Sequence, residues 1–424
     1  MHGKTAPPSA QLSAPEPAAR KGSSHEPTGY RRVFAVAEFR FVFAAHALSL
    51  LGVVVSELAL TVLVYGLTGS PLLSSLVLAL GFLPHLVGGA LLSGVADQYP
   101  PRGVLVVCDL LCAACAGAMA LPGTPIAVLL VLRCLIAVTA PVFTGTRTAT
   151  LADILGDGDL FVLGRSLLRI VSQGALLIGF GLGGVLLTVV SPRGALVVTV
   201  CTFASSALLL RFGTRRRPAW TGKGALVRNS LSGTRQVLED RRTRAVLLLT
   251  WGPPLFVVAP EALAAAFADE IGVGAAGVGL LMCAMPVGTI AGELIAGALF
   301  SPAARARITL PLAASGLLPL LAVPVLPGLG WVLLALALTG IAGAYTLGLD
   351  QWFVRAVPEE LRGRAMTAQT AGLMTTQGGG MALAGAAAEF WPVSVVVCAA
   401  GASGTVCCVL LALHVLRTGE RPDR

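Results

Sequence analysis

Residues 93–111 read SGVADQYPPRGVLVVCDLL, and this stretch indicates the fold most directly. A short charged turn, from Asp97 to Arg102, lies between two apolar runs that are each long enough to cross a bilayer. A further acid, Asp109, lies just inside the second run. This arrangement predicts a charged hinge between two membrane helices.

The composition of the whole chain is that of a membrane protein. Hydrophobic residues make up 55% of the 424 residues, charged residues make up 12%, and the mean hydropathy is +0.83. In soluble domains about a quarter of the residues are charged. The chain is therefore predicted to be an all-α integral membrane protein.

The number of membrane crossings follows from helix length. A helix of about 20 apolar residues spans a hydrocarbon core of about 30 Å. On this measure we predict twelve transmembrane helices, at residues 39–65, 71–93, 104–122, 125–147, 165–190, 194–212, 244–268, 275–299, 308–327, 330–355, 364–388 and 391–416. The longest loop, 213–243, is a predicted cytoplasmic linker that divides them into two six-helix bundles, 39–212 and 244–416. Residues 1–38, rich in Pro, Ala and Ser, are predicted to be a disordered cytoplasmic tail without a helix, and 417–424 a second tail.

Basic residues indicate the orientation. Of the 30 Lys and Arg residues, 27 fall on one side of the predicted crossings, Arg193 falls on the other, and Arg133 and Arg169 lie within helices. The positive-inside rule then places both termini in the cytoplasm. The chain is predicted to lie in the inner (plasma) membrane. The net charge of +9 is interpreted as a topology signal and a contact with anionic lipid, so no nucleic-acid partner is predicted.

The two halves repeat at an offset of about 203 residues. GGALLSG at 88–94 recurs as AGELIAG at 291–297, and the Gln-Gly pair at 173–174 recurs at 377–378. Parallel repeats of six helices are typical of a transporter built from two bundles.

The charged turn resembles the signature loop of the major facilitator superfamily, Gly-x-x-x-Asp-Arg-x-x-Arg-Arg. Ser93, Asp97 and Arg102 occupy its small, acidic and basic positions, whereas Gln98 stands where the family has Arg. Four other segments resemble the branch with the enterobactin exporter and many drug exporters: LTGSP with FLP at 67–84, RTATLADIL at 147–155, LGGVLL at 182–187 and VPEELRGRAM at 357–366. The resemblance covers about 39–416.

A further segment resembles the antiporter motif of this superfamily, Gly-Pro-x-x-Gly-Gly. Gly179, Gly183 and Gly184 match it, and Phe180 replaces its Pro. The resemblance implies export by antiport, a monomer, and two bundles that rock about a midplane site. No phosphate-binding GxxxxGK[ST] sequence is present, so we expect an ion gradient to supply the energy, without a cofactor.

Charges inside membrane helices cost at least ~2.5 kcal/mol each on insertion scales, so each needs a partner or a function. Glu57 and Arg133 both lie about 10–12 Å below the outer surface, which predicts a pair. The resemblance places it beside the substrate path. Two interpretations stay open: Glu57 exchanges protons under the control of Arg133, or a permanent ion pair locks the bundle. His46, on the same face as Glu57, either takes part in proton transfer or is hydrogen-bonded inside the bundle.

The predicted substrate cavity has seven residues. Glu261 follows Pro253, Pro254 and Pro260, which are expected to bend the seventh helix. It either binds a cationic or amphipathic solute or acts as a gate at the outer surface. The complete set is Ser49, Trp251, Glu261, Thr339, Thr346, Met374 and Gln377.

Five charged residues near the cytoplasmic side are predicted to form a latch that holds one conformation closed. They are Asp97, Arg102, Asp109, Arg147 and Arg169. The nine cysteines all fall inside apolar runs, so we expect neither a metal site nor a disulfide.

Together these features predict a secondary active transporter and not an enzyme. The predicted activity is proton-coupled efflux of small organic molecules, such as a drug, a secondary metabolite or a siderophore. One alternative is an importer or facilitator of a metabolite. Another is a non-transporting receptor or scaffold, which would not need buried acids. The predicted partners are a small-molecule substrate, the proton and the lipid bilayer.

Overall fold

The computed structural model describes residues 30–84, 98–156, 159–218, 241–325, 328–357 and 362–417. Ser93 and Asp97 of the predicted hinge therefore lie outside the described residues. The same is true of most of the predicted linker and of most of the two tails.

Helices form nearly all of the described N-terminal half. They are α1 (Tyr30–Ala35), α2 (Ala37–Thr68), α3 (Pro71–Phe82), α4 (Pro101–Ala120), α5 (Ile126–Leu155), α6 (Asp159–Val189) and α7 (Pro192–Gly213).

The C-terminal half is also helical, with more interruptions. Its α-helices are α8 (Arg241–Val257), α9 (Ala259–Ala262), α10 (Ala264–Glu270), α11 (Gly274–Leu299), α12 (Pro302–Ser315), α13 (Leu329–Ala342), α14 (Tyr345–Ala356), α15 (Arg362–Ala388) and α16 (Val393–Arg417). A 3₁₀ helix, Leu318–Ala322, follows α12.

The fold is that of an all-α membrane protein, with helices at all twelve predicted crossings in two bundles of six. Nine helical runs in the described part of the chain are long and apolar enough to cross a bilayer. The other three crossings are shorter or more polar there. Helix α3 is described for 12 residues, the ninth crossing is interrupted after Ser315, and α15 is rich in Gly, Thr and Gln.

Prolines explain both where helices begin and where one crossing breaks. Ser-Pro pairs at 70–71, 191–192 and 301–302 begin α3, α7 and α12, and each serine oxygen accepts a hydrogen bond from a backbone N–H of the first turn. The seventh crossing is divided into α8, α9 and α10, and Pro260 is near the start of α9, where it cannot donate a helical hydrogen bond. The helix of this crossing is thus interrupted at Val258 and Leu263.

Two predictions about local structure are wrong. The tail predicted to lack a helix contains α1, because Val33 is fully buried and Phe34 packs edge-on against Phe39 with ring centroids 5.6 Å apart. The crossing predicted to end at residue 147 is longer than expected, since α5 continues to Leu155. Leu151 is fully buried on this extension, and its burial stabilises the additional helical turns.

One apolar core joins the two bundles. Val54, Leu58 and Leu78 from the N-terminal bundle belong to the same buried cluster as Phe267 and Met381 from the C-terminal bundle. This cluster lies towards the ends of the helices that carry the short, uncharged connections. The bundles are therefore packed together on that side.

Polar contacts also join the bundles on the side with the short, uncharged connections, which we call the closed side. The hydroxyl of Tyr65 donates to Asp269 Oδ2 at 3.2 Å, between α2 and α10. Glu389 Oε1, just after α15, accepts from the Ser70 hydroxyl at 2.5 Å and from the backbone N–H of Leu72 at 3.0 Å. These contacts link the first crossing to the seventh and the second to the eleventh.

Candidate functional site

A buried ion pair connects α2 and α5. The guanidinium of Arg133 contacts Glu57 Oε1, and the side chains are 2% and 15% exposed. Arg133 Nε also donates to the carbonyl of Val77 on α3 at 3.3 Å. The structure thus brings together the two charges whose depths suggested a pair, and it fixes the arginine to a third helix.

Gly81 of α3 provides the space for this pair. A Cβ at this position would lie 3.1 Å from Glu57 Oε1 and 3.2 Å from Arg133 Cζ. A larger side chain there would force one of the two charged groups to move.

An acid from the other bundle lies close to the pair. Glu261 is in the first turn of α9 and is partly buried. Its carboxylate is within electrostatic range of Glu57. The turn of α9 therefore carries a second acid, from the other bundle, within electrostatic range of Glu57.

A second polar cluster lies deeper in the N-terminal bundle, towards the end with charged connections. Arg147 Nη1 contacts His46 Nδ1, and His46 Nε2 is 3.2 Å from the Ser172 hydroxyl. His46 precedes Glu57 by 11 residues, which corresponds to about 16 Å along α2. His46 therefore belongs to a different site from the Glu57–Arg133 pair, with which the sequence had grouped it.

Asp109 of α4 belongs to this second cluster. Its Oδ1 accepts from the Ser49 hydroxyl at 3.1 Å and its Oδ2 accepts from the Ser206 hydroxyl at 2.6 Å. The aspartate side chain is fully buried. Arg147 lies within electrostatic range of it.

A cavity of about 380 Å³ opens beside the second cluster. Its lining comes from the N-terminal bundle and combines polar and apolar side chains, among them His46, Ser49, Phe143, Arg147, Arg165 and Arg169. The cavity is large enough for a small organic molecule.

Comparison with known proteins identifies the family. The Major Facilitator Superfamily model matches residues 42–260, more than half of the chain. The chain belongs to the major facilitator superfamily. It is therefore a multi-pass membrane transporter rather than an enzyme. No curated protein sequence matches it.

Solved transporters share the fold of this superfamily member. A POT family transporter in complex with a thioalcohol-conjugated peptide is 11% identical, with a TM-score of 0.71 over 91% of this chain and 96% of the other. For a mutant of the nucleoside transporter NupG the identity is 17% and the TM-score 0.64, over 89% and 99%. A bacterial homolog of the human lysosomal transporter Spinster, in an inward-facing and unoccupied conformation, is 15% identical. Its TM-score is 0.60, over 91% of this chain and 96% of the other. At these identities the similarity concerns the fold alone.

The candidates for the substrate cavity are dispersed in this superfamily member. Of the seven, all within the described residues, Ser49 lines the 380 Å³ cavity. Trp251 Nε1 donates to the carbonyl of Gln369 at 3.0 Å, and Thr346 Oγ1 to that of Gly343 at 2.8 Å. These two side chains are held within the C-terminal bundle.

The remaining candidates lie in α13 and α15. Thr339 is 4% exposed, and its Oγ1 has no hydrogen-bond partner among the described residues. Met374 and Gln377 are partly buried on α15, and Gln377 Oε1 likewise lacks a partner within the described part of the chain.

The described residues of the predicted latch do not form one cluster. Arg102 Nη1 donates to the carbonyl of Thr214 at 3.1 Å, at the start of the linker. Asp109 and Arg147 belong to the buried cluster inside the N-terminal bundle. Arg169 is exposed at the cavity and interacts electrostatically with Asp350 of α14. Asp97 lies outside the described residues, so the latch as predicted is not reproduced.

Sequence reasoning missed Ser172, Ser206 and Phe143. The two serines supply partners for His46 and Asp109, and the Phe143 ring lies 4.2 Å from the Arg147 guanidinium carbon. Single hydroxyl and aromatic residues in apolar helices carry no periodic signal. The available indication was the presence of buried charges that needed partners.

Proposed function

We propose that this superfamily member is a proton-coupled exporter of small organic molecules, such as a drug, a secondary metabolite or a siderophore. The observation that carries the proposal is the buried Glu57–Arg133 ion pair with Glu261 beside it at the bundle interface. The segments that resemble the enterobactin-exporter and drug-exporter branch support the direction. Proton coupling needs an acid whose charge affects the packing of the two bundles, and the electrostatic interaction of Glu261 with Glu57 across the bundles supports such a role.

The proposed coupling uses the repulsion between Glu57 and Glu261. These carboxylates belong to different bundles, so the bundles separate more easily on this side when both are charged. A proton taken up by either acid removes the repulsion and favours the closed arrangement seen here. Arg133 stays fixed to the Val77 carbonyl while Glu57 gains and loses its proton. Proton uptake on one side of the membrane would thereby drive closure on that side.

The proposed orientation follows from the basic residues. With both termini in the cytoplasm, the closed side faces out and the cavity beside Arg147 opens towards the cytoplasm. The protein would work as a monomer in the inner (plasma) membrane, with the linker on the cytoplasmic side. A substrate would enter from the cytoplasm as protons move inward.

The test is proton movement in inside-out vesicles, reported by a pH-sensitive dye. Lipophilic cations, siderophore-like compounds and organic anions are added to vesicles with the wild type or with Glu57→Gln. We expect at least one compound to evoke proton movement in the wild type and this response to be lost in Glu57→Gln. Glu293→Gln in α11 is the matched control, because it makes the same chemical change in another membrane helix, and it should respond like the wild type.

Two results would contradict the proposal. An unchanged response in Glu57→Gln would make Glu57 structural and direct the search to Glu261. Transport of a compound without any proton movement would make the protein a facilitator.

A further inference from the structure

The described lining of the cavity beside Arg147 carries only positive charge, with Asp109 and Asp350 behind it within electrostatic range of Arg147 and Arg169. Three arginines, Arg147, Arg165 and Arg169, line the cavity, and its described lining contains no Asp or Glu. Arg165 and Arg169 are exposed, whereas Arg147 is 7% exposed. The cavity therefore has one buried positive charge and two more accessible ones.

Arg147 has a free hydrogen-bonding group at this cavity. Its Nη1 contacts His46, but its buried Nη2 has no hydrogen-bond partner among the described residues. The oxygens of Asp109 are hydrogen-bonded to Ser49 and Ser206 instead. A buried guanidinium with an unused N–H group is energetically costly unless a ligand completes it.

The surroundings of Arg147 hold its guanidinium in a defined position. The group lies over the Phe143 ring, 4.2 Å from the ring centre, and contacts His46 at one edge. A guanidinium is a planar fork of donors that matches the two oxygens of a carboxylate or the oxygens of a phosphate. Stacking on Phe143 therefore fixes the orientation of the guanidinium before a ligand binds.

The rest of the lining is suited to an apolar body. Val53, Ile136 and Phe203 form part of the wall, and the Ser49 and Thr139 hydroxyls interrupt it. A molecule with an anionic head and an apolar or aromatic body would satisfy both kinds of surface.

We propose that this cavity binds an organic oxyanion, with its carboxylate or phosphate on Arg147 and its apolar part against Val53, Ile136 and Phe203. This inference rests on the proposed transport function, because it names the chemical class of the substrate. Arg165 and Arg169 would attract the anion to the cavity. The site is separate from the Glu57–Arg133 pair, so substrate and proton would occupy different depths.

The test is ligand binding to the purified full-length protein in detergent, which does not depend on proton coupling. Calorimetry is run with phenylacetate and phenylphosphate, and with phenylacetamide and benzylamine as neutral and cationic counterparts. We expect the anions to bind at least about tenfold more tightly than their counterparts, a difference of about 1.4 kcal/mol. Equal binding of all four probes, or no binding of the anions at millimolar concentration, would overturn the proposal.

Variants then locate the binding. Arg147→Gln should weaken phenylacetate binding about tenfold or more, and Arg147→Lys should weaken it less, since a lysine keeps the charge but loses the fork. Arg169→Gln, an exposed change that should fold normally, should weaken binding two- to threefold and increase its salt dependence. Arg211→Gln is the control, because Arg211 is exposed on α7 and does not line the cavity. Unchanged binding in both Arg147→Gln and Arg169→Gln would refute the site.

A lipid headgroup offers the same oxyanion chemistry and is tested separately. Phosphatidylglycerol is added in detergent, and competition with phenylacetate is measured. Absence of competition supports a soluble substrate, whereas strong competition would make the occupant a lipid and overturn the substrate assignment. Because binding is measured without a proton gradient, a positive result here with no proton movement in vesicles would contradict the coupling mechanism alone.

Discussion

Arg133 and Glu57 form an ion pair inside the N-terminal bundle, with the arginine almost completely buried and the glutamate 15% exposed. Neither charge has access to enough water to be stable alone. The arginine has one further partner, the Val77 carbonyl. Single replacements of the two residues should therefore lower the free energy of unfolding by different amounts.

The ion pair should show strong coupling in a double-mutant cycle. Arg133→Gln leaves Glu57 as a buried unpaired charge, and we expect a loss of about 3–5 kcal/mol in the free energy of unfolding. Glu57→Gln should cost less, because Arg133 keeps its bond to Val77. The double variant, with two neutral amides, should lose clearly less than the sum of the single losses. Reversible denaturation in detergent at neutral pH measures all four proteins.

The cycle needs a control for the amide substitution itself. Glu293→Gln, combined with Arg133→Gln, should give additive losses, since nothing in the structure pairs these two residues. Additive losses for Glu57→Gln and Arg133→Gln as well would mean that the pair contributes no coupling energy.

Glu261→Gln should stabilise the closed arrangement. The substitution removes a negative charge within electrostatic range of Glu57. At an effective dielectric constant near 20, removing one of two interacting like charges is worth about 1–2 kcal/mol, and we expect a gain of this order in the free energy of unfolding. Thermal unfolding in detergent measures the gain. In a Glu57→Gln background the gain should disappear, and a gain of the same size there would show that Glu57 is not its source.

Arg217 should fix the start of the linker to α2. Its Nη1 and Nη2 donate to the two carboxylate oxygens of Glu38 at 2.6 and 2.9 Å. This hydrogen bonding raises the pKa of Arg217. A raised pKa means that the stabilisation is complete below the ordinary arginine pKa and is lost only at more alkaline pH. Arg217→Gln should thus lower the free energy of unfolding in detergent by about 0.5–1 kcal/mol, because solvent screens the pair, and equally at about pH 7 and pH 9.

Arg215 offers a matched control for the Arg217 measurement. Its backbone N–H donates to Glu38 Oε1 at 2.9 Å, while its side chain is exposed. Arg215→Gln keeps the backbone bond and should change the melting temperature little. Equal losses for the two variants would assign the effect to general surface charge.

The membrane helices could be predicted from sequence because their length is set by the bilayer. The predicted 275–299 and the observed α11 differ by one residue at the start. The Glu57–Arg133 contact could also be predicted, since a fixed rise per residue places both charges at known depths.

The cluster around His46, Arg147 and Asp109 could not be predicted from the sequence, because it depends on which helices pack against one another. His46 and Glu57 share a face of α2 and both contact arginines of α5, but the two contacts lie about 16 Å apart along α2, and His46 also contacts α6. Asp109 finds its partner Ser206 on α7, 97 residues away in the chain. Likewise, the helical extension after Arg147 is stabilised by tertiary burial of Leu151 and Leu155, which helix length alone does not predict.

Gly184 should control the distance between the bundles on the closed side. A Cβ on Gly184 of α6 would lie 2.8 Å from Gly279 Cα of α11, and a Cβ on Gly279 would lie 2.7 Å from Gly184 Cα. Both neighbours are backbone atoms and cannot rotate away. Gly184→Val should therefore push α6 and α11 apart and shift the population towards an arrangement open on this side.

Accessibility of Ser75 can report this shift, because Ser75 is fully buried on α3. Ser75→Cys is introduced after the nine native cysteines have been replaced, and labelling by a membrane-impermeant maleimide is timed in cells. We expect labelling to be several-fold faster in Gly184→Val. Gly174→Val on the same helix is the control, because nothing lies within 4 Å of a Cβ there. If both variants label at the parental rate, the contact between Gly184 and Gly279 does not limit the opening of the bundles.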